Sequence, residues 1–556
     1  MKHRLIFFKI KIIKRLFVFE CFLLIFFLIF SNWLFWSTFK VDAQNNQILI
    51  DTKLWSDFGS HLPLIRSFSL GTNFPPEYPI FSGEPTKYHF LFYALVGLLE
   101  RVGVRLDVAL NTLSMIGFLT LLVTIFFLAK LLFKSKTVGI LTIIFFLFNG
   151  SLSFLEFFKI HPLSLETPRE IFNNVNFPSF GPYDGKIVSA FWNLNIYTNQ
   201  RHLAFAYAWV LILVLIFLRI ILHEKKISTK NSVFLGLILG MLPLFHSGVF
   251  SMGLLIFSLF FLLFKNYRLP LLFFLLSASV LGLPQMLFLK SGLNNSMIHF
   301  HPGYLIAGNL NFFSFLNYWL LNLGLGFLFI PIGFLLSNQT QKKVLIAFSS
   351  LFLIANVFQF SPEMAANHKF FNLWLIIGNM FSAWAIVWLW QQRWTRTFLI
   401  IVSFLFVFSG IIDFFAIKND STSVIVDTPA NPDILWIKNN TLPEAIFLNS
   451  SYFLHPASLA GRRIFLGWPY FPWSVGYDVD TRSQILKEIY KGNNLQIVCQ
   501  SLKNNKINYI TTEEPQPESE FEINYDFFRE NFPILYQNPS SHNFSIYEVK
   551  ETCDSS

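Results

Sequence analysis

A chain of 556 residues with 54% hydrophobic and only 13% charged side chains is not a soluble globular enzyme, where about 25% of residues carry charge. The same balance excludes a disordered or fibrous protein and points to a polytopic membrane protein, with a mean hydropathy of +0.51. The net charge of +10 is scattered over short loops, the pattern of cytoplasmic connections rather than of a nucleic-acid surface.

In chain order, a basic start (Lys2, Arg4, Lys9, Lys11, Lys14, Arg15) precedes a first apolar run at 16–36. That run is too long for a usual signal-peptide core. Further spans are expected near 106–133, 137–158, 203–222, 231–247, 248–264, 269–289, 312–336, 344–360, 370–390 and 397–416, about eleven in all. Short basic links (Lys134/Lys136, Lys225-Lys226, Lys265 with Arg268, Lys342-Lys343, Arg393 with Arg396) alternate with longer loops holding acids, histidines and prolines. The positive-inside rule places the N-terminus and the basic links in the cytoplasm, and the other loops and everything after about 417 outside. The expected fold is therefore an α-helical polytopic membrane domain over 1–416, followed by a small extracytoplasmic α/β domain over 417–556.

The first outer segment, 37–105, concentrates ionisable groups. Asp57 and His61 lie four apart and share a helix face. Beside them Phe58, Leu62, Ile65 and Phe68 form an apolar stripe, the pattern of a helix lying on the membrane surface. A proline-rich loop follows with Glu77, Gly83 and Glu84, then Tyr88 and His89 at the start of a second short helix over 88–101. A solvated acid and imidazole in an ordinary wet loop is the alternative. Farther on, Tyr183-Asp184-Gly185-Lys186 and Arg201-His202 sit at the outer start of a span, and Glu363 with Asn367-His368-Lys369 at another. His246, His299 and His301 also fall on the outer side. Arg201 offers a guanidinium fork beside the positive end of a helix, suited to a phosphate, or is an interfacial anchor.

An outward acid soon after the first span, then juxtamembrane helices and Pro-Tyr-His-rich sequence, resembles the GT-C superfamily of integral membrane glycosyltransferases, in its protein-mannosyltransferase-like and aminoarabinose-transferase-like branches. The resemblance implies transfer of a sugar from a polyprenyl-phosphate donor in the membrane lipid to an envelope acceptor (glycan, lipid or protein) at the outer face. It makes Asp57 the general base of an inverting transfer, although Phe58 stands where the family commonly has a second acid. His61 would orient Asp57 or complete a metal site. Glu77, Glu84, Tyr88, His89, Lys186, Arg201, His202, His368 and Lys369 are the candidates for substrate binding. A divalent metal ion is a possible cofactor, with Asp57, His61 and His89 as candidate ligands. A transporter or flippase for a lipid-linked sugar would need charged or broken helices at mid-membrane depth, and Glu20 and Pro284-Gln285 are nearly all the spans provide. An inactive lipid-binding scaffold is the third reading.

In the tail, short apolar runs at 423–426, 445–448, 463–466, 507–510 and 544–547 alternate with helix-like stretches at 431–440 and 482–504. The loop from His455 to Tyr477, rich in Gly, aromatics and Arg462-Arg463, suits sugar stacking or packing between domains. Cys499 and Cys553 could pair, but the apolar helical setting of Cys499 favours a buried thiol.

Overall fold

The computed structural model describes residues 2–179, 187–291, 298–515 and 522–555, with side chains described from 18 to 554. Among these, seven helices are long and apolar enough to cross a bilayer: Val18–Thr38, Leu106–Phe133, Leu203–Leu222, Pro243–Leu263, Lys265–Leu289, Met364–Leu389 and Arg393–Lys418. The chain is a multi-pass membrane protein. Phe312–Leu323 and Gly326–Leu335 form an eighth crossing if the pair, bent by 92°, is taken as one broken span. The bend falls at Gly324, whose φ of +53° suits glycine and whose missing Cβ leaves room for the Gly150 carbonyl.

Each of the eleven expected places holds a helix, but three are short. Lys136–Leu147 and Thr229–Gly240 have 12 residues and Gln339–Ala355 has 17. At 1.5 Å per residue, 12 residues cover about 18 Å of a core about 30 Å thick. Pro243, which has no N–H to donate, opens a new helix and separates Thr229–Gly240 from its apolar continuation. Met364–Leu389 is the central span, with 83% of its apolar window buried. Gly333 lies against the Phe381 carbonyl of that span, an approach that a Cβ would block. Glu20 in the first span is answered by Lys130 at 2.6 Å and Lys136 at 2.9 Å.

Beyond one end of the spans, an outer layer is built from the segment 37–105 and the tail together. Phe39–Asp42 and Gln47–Asp51 form a hairpin, in register from Phe39 opposite Ile50 to Asp42 opposite Gln47. Thr422–Val426, where the chain leaves the last span, adds a third antiparallel strand against Gln47–Asp51. The rest of the tail is a mixed five-stranded sheet in the spatial order Ile534–Asn538, Phe544–Glu548, Tyr509–Thr512, Ile446–Leu448, Arg463–Ile464. Helices Pro432–Asn440, Val479–Lys491 and Leu495–Asn504 accompany it. The helix expected over 482–504 is thus two, divided at Gly492 with φ +58°. Ile534–Asn538 was not expected, because its Tyr-Gln-Asn end lacks an apolar alternation. Cys499 and Cys553 form a disulfide. Cys499 is buried as its sequence setting implies, but as half of that bond rather than as a thiol.

The helix Trp55–Ser69 departs from its expected place on the membrane surface. Phe58 to Ser67 are all buried, because the tail packs over the face that would otherwise meet water. Phe39, Phe58, Leu62 and Ile65 of the loop share one apolar core with Ile446, Leu459, Phe465 and Leu486 of the tail. Arg66, on this helix, bonds Glu100 at 3.2 Å and also Asp427 of the tail. Removing that guanidinium strands two mostly buried carboxylates. Arg66→Ala should therefore cost about 3–5 kcal/mol, read as a lowered thermal midpoint of the full chain in detergent. An unchanged midpoint would mean that the loop and tail do not depend on this pair.

Candidate active site

A cavity of about 800 Å³ opens where the outer layer meets the spans. Asp57, Ser60 and His61 come to it from the helix Trp55–Ser69, Tyr88 and His89 from the loop behind it, and His368 and Lys369 from the start of the central span. Met252, Leu255 and Met286 of two peripheral spans form an apolar flank, and Tyr470, Phe471 and Val475 of the tail also line it. The tail loop read as a sugar-stacking or packing segment thus supplies part of the wall.

Asp57 lies in the first turn of its helix, where the macrodipole favours a carboxylate. Burial outweighs that preference and pushes its carboxyl up to about 6, against the pull of the Lys369 ammonium. His61, one turn on, stacks on Tyr93 with ring centroids 4.5 Å apart. Burial, with Arg201 and Lys369 nearby, holds its pKa down to about 3, so the ring is neutral. Its Nδ1 is buried without a partner.

Three histidines from distant parts of the chain meet beside this pair. His89 Nε2 lies 2.8 Å from His202 Nε2, and Tyr93 OH lies 2.8 Å from His202 Nδ1. The His246 ring stacks on His89 with centroids 4.4 Å apart. His246 adopts an extended φ of −166° inside the helix Pro243–Leu263, a break that turns its ring to the group. Ligand atoms of all three lie within 4.8 Å of one another. Of the residues singled out in sequence as metal candidates, only His89 belongs to this cluster. Asp57 and His61 are on the neighbouring cavity wall.

Several residues expected at the substrate have partners elsewhere in the chain. Arg201 is fully buried and spends its donors on Thr198 O (2.7 Å), Asn111 Oδ1 (3.0 Å) and Thr38 Oγ1 (3.0 Å), with its guanidinium over Phe35. It does not line the cavity, so it is neither a phosphate ligand there nor an interfacial anchor. Glu77 pairs with Arg463 at 3.2 Å, and Glu84 with Lys87 at 3.2 Å and Arg482 at 3.6 Å. Both glutamates tie the first loop to the tail. His202 stands behind His89 rather than on the cavity surface. His368 stacks on Phe191 at 4.6 Å with Nδ1 buried and unpartnered. Lys186 lies outside the described residues. Sequence reasoning missed Lys53 and Lys290, which also line the cavity. It noted His246 but gave it no place in the site, although a histidine within an apolar span is itself a signal.

No protein-family model matches the chain, and no curated protein matches it in sequence. Solved structures do match in fold. One is the archaeal oligosaccharyltransferase AglB from Archaeoglobus fulgidus, in complex with an inhibitory peptide and a dolichol-phosphate. It matches at TM-score 0.50 and 10% identity over 89% of this chain and 70% of AglB. Another is the arabinofuranosyltransferase AftD from Mycobacteria, at TM-score 0.51 and 10% identity over 95% of this chain and 40% of AftD. A mutant of AftD matches at 0.53 over the same share of this chain. The chain shares the fold of these proteins. It spans well under half of AftD.

The raised Asp57 carboxyl has a thermodynamic consequence that needs no substrate. Its folded value of about 6 exceeds its usual 3.8, so between these the native state holds more proton than the unfolded chain. Stability contributed at this position is therefore present at low pH and lost as pH rises from about 4 through 6. Asp57→Asn should gain thermal midpoint over the parent at pH 7.5, and the gain should shrink at pH 4.5. A difference independent of pH would place Asp57 in bulk water.

Proposed function

We propose that this protein is a membrane glycosyltransferase that moves a sugar from a polyprenyl-phosphate donor to an envelope acceptor at the outer face of the membrane. The observation that carries the reading is one cavity holding Asp57 and Lys369 beside an apolar flank from the spans. The flank suits an isoprenoid chain entering from the bilayer. Lys369 suits the phosphate, and the opening toward the tail admits an acceptor. The fold shared with AglB and AftD agrees with this assignment.

In the mechanism, the acceptor hydroxyl oxygen attacks C1 of the sugar while Asp57 takes its proton. The C1–O bond to phosphate breaks, and the electron pair leaves with the polyprenyl phosphate. Lys369 meets the charge that grows on that phosphate, in surroundings poor in water where such an interaction is strong. Of the other lysines that line the cavity, Lys53 and Lys87 are engaged by Asp420 and Glu84, and Lys290 is exposed. The outer position of the tail follows from the charge alternation and accords with its disulfide, since such bonds persist in oxidising compartments.

Purified protein in lipid discs should transfer label from one member of a panel of polyprenyl-phosphate sugars to membrane acceptors. Asp57→Asn should cut turnover by roughly 10²–10⁴-fold. The parent rate should rise with pH around 6 as the base ionises, and Lys369→Ala should lose donor affinity. Transfer by Asp57→Asn at the parental rate would remove Asp57 as the base. Phosphatase fusions after residue 420 should be active, whereas activity only of a cytoplasmic reporter there would reverse the topology.

A further inference from the structure

We infer that His89, His202 and His246 form a binding site for one divalent transition-metal ion, of which Zn2+ fits best. The site stands on geometry and does not rest on the transferase reading. Three imidazoles converge from separate elements: the loop before Leu91–Arg101, the residue capping Leu203–Leu222, and the break in Pro243–Leu263. They are 8%, 1% and 3% exposed. Among the described residues no carboxylate joins the group, and His246 Nε2 is buried with no partner. An all-nitrogen donor set selects zinc, copper or nickel over magnesium and calcium, which require oxygen.

The spacing is close to what a tetrahedral ion requires. Zn–N bonds of about 2.0–2.1 Å place ligand nitrogens about 3.4 Å apart. The 2.8 Å between His89 Nε2 and His202 Nε2 must widen by a few tenths of an ångström, while the outer limit of 4.8 Å must contract. In the metal-free protein one of these two nitrogens donates a proton to the other, and the metal takes that proton's place. When Nε2 holds the metal, His202 Nδ1 carries the ring proton and donates it to the Tyr93 hydroxyl oxygen 2.8 Å away, an outer-shell partner that orients the ring. Ligation through His246 Nε2 puts the ring proton on Nδ1 and gives up the long 3.3 Å bond from the Val249 amide. Three protein ligands leave one coordination position, the pattern of a metal that accepts a further ligand rather than a closed structural site. His89 and His246 both line the cavity, so that position opens toward it.

The test uses the full chain, purified through a tag without histidines, stripped with chelator and titrated with Zn2+ alone. One equivalent should bind per chain, raise the thermal midpoint, and resist displacement by excess Mg2+. Co2+ should give the visible spectrum of a tetrahedral nitrogen site. His246→Ala should abolish stoichiometric binding while keeping the chelator-treated midpoint of the parent. If that variant does not fold, Tyr93→Phe serves instead, since it leaves the ligands in place and should weaken Zn2+ by roughly 10–100-fold. Binding below one equivalent in the parent overturns the site. So does unaltered binding in His246→Ala, or in Tyr93→Phe where that is the variant used.

Discussion

The helix Trp55–Ser69 brings an acid, an imidazole and a guanidinium into a layer where the tail on one side and the spans on the other leave little water. Each of those groups must be answered by another part of the chain or remain unsatisfied at a cost of several kcal/mol. Arg66 is answered by Asp427 and Glu100. Asp57 and His61 are not answered in that way, and both face the cavity. The outer layer therefore sorts its charges by itself: those with partners hold the layer together, and those without are held ready for a ligand.

The same sorting separates Arg201 from Lys369, two cations that the sequence offers alike as candidates for substrate binding. Both stand at the start of apolar helices. Arg201 has a fork of donors, and the fold fills it with a carbonyl, an amide and a hydroxyl from three elements. Such a network fixes the hairpin root at Thr38 to the spans and holds the guanidinium off the cavity wall. Lys369 is a point charge on a flexible stem, and it reaches the cavity with Asp57 as its electrostatic counterpart. Local sequence carries residue type and helix position. It does not carry which donors the rest of the chain has already taken.

What was legible in the sequence follows from the range of the interactions that decide it. The apolar runs that became Leu106–Phe133, Leu203–Leu222 and Arg393–Lys418 are local facts, and their bounds fall within four residues of expectation. The tail strands at Ile446–Leu448 and Phe544–Glu548 are short alternations of the same local kind. Asp57, singled out by its helical spacing to His61, does line the cavity together with it. The burial of Trp55–Ser69 was not, since its apolar stripe fits a bilayer surface as well as a protein core, and only the tail, some 360 residues on, decides between them. The three-histidine cluster was illegible for the same reason, its members lying 113 and 44 positions apart.

The joint core also bears on why a site belongs at this level. A reaction between a lipid-anchored phosphate and a water-soluble or envelope acceptor needs one wall that an isoprenoid can wet and another that carries hydrogen-bonding groups. A helix bundle alone offers only the first, and a soluble α/β domain only the second. Here Met252, Leu255 and Met286 belong to the bundle, while Asp57, Tyr470 and Val475 belong to the outer layer. The strand Thr422–Val426 locks the layer to the hairpin that issues from the first span. The Tyr470 hydroxyl reaches Glu363 at the head of the central span at 3.3 Å. These two ties help to fix the acid-bearing wall relative to the lysine-bearing one. That relation is what the chemistry requires, and it is why the tail is part of the site rather than an appendage to it.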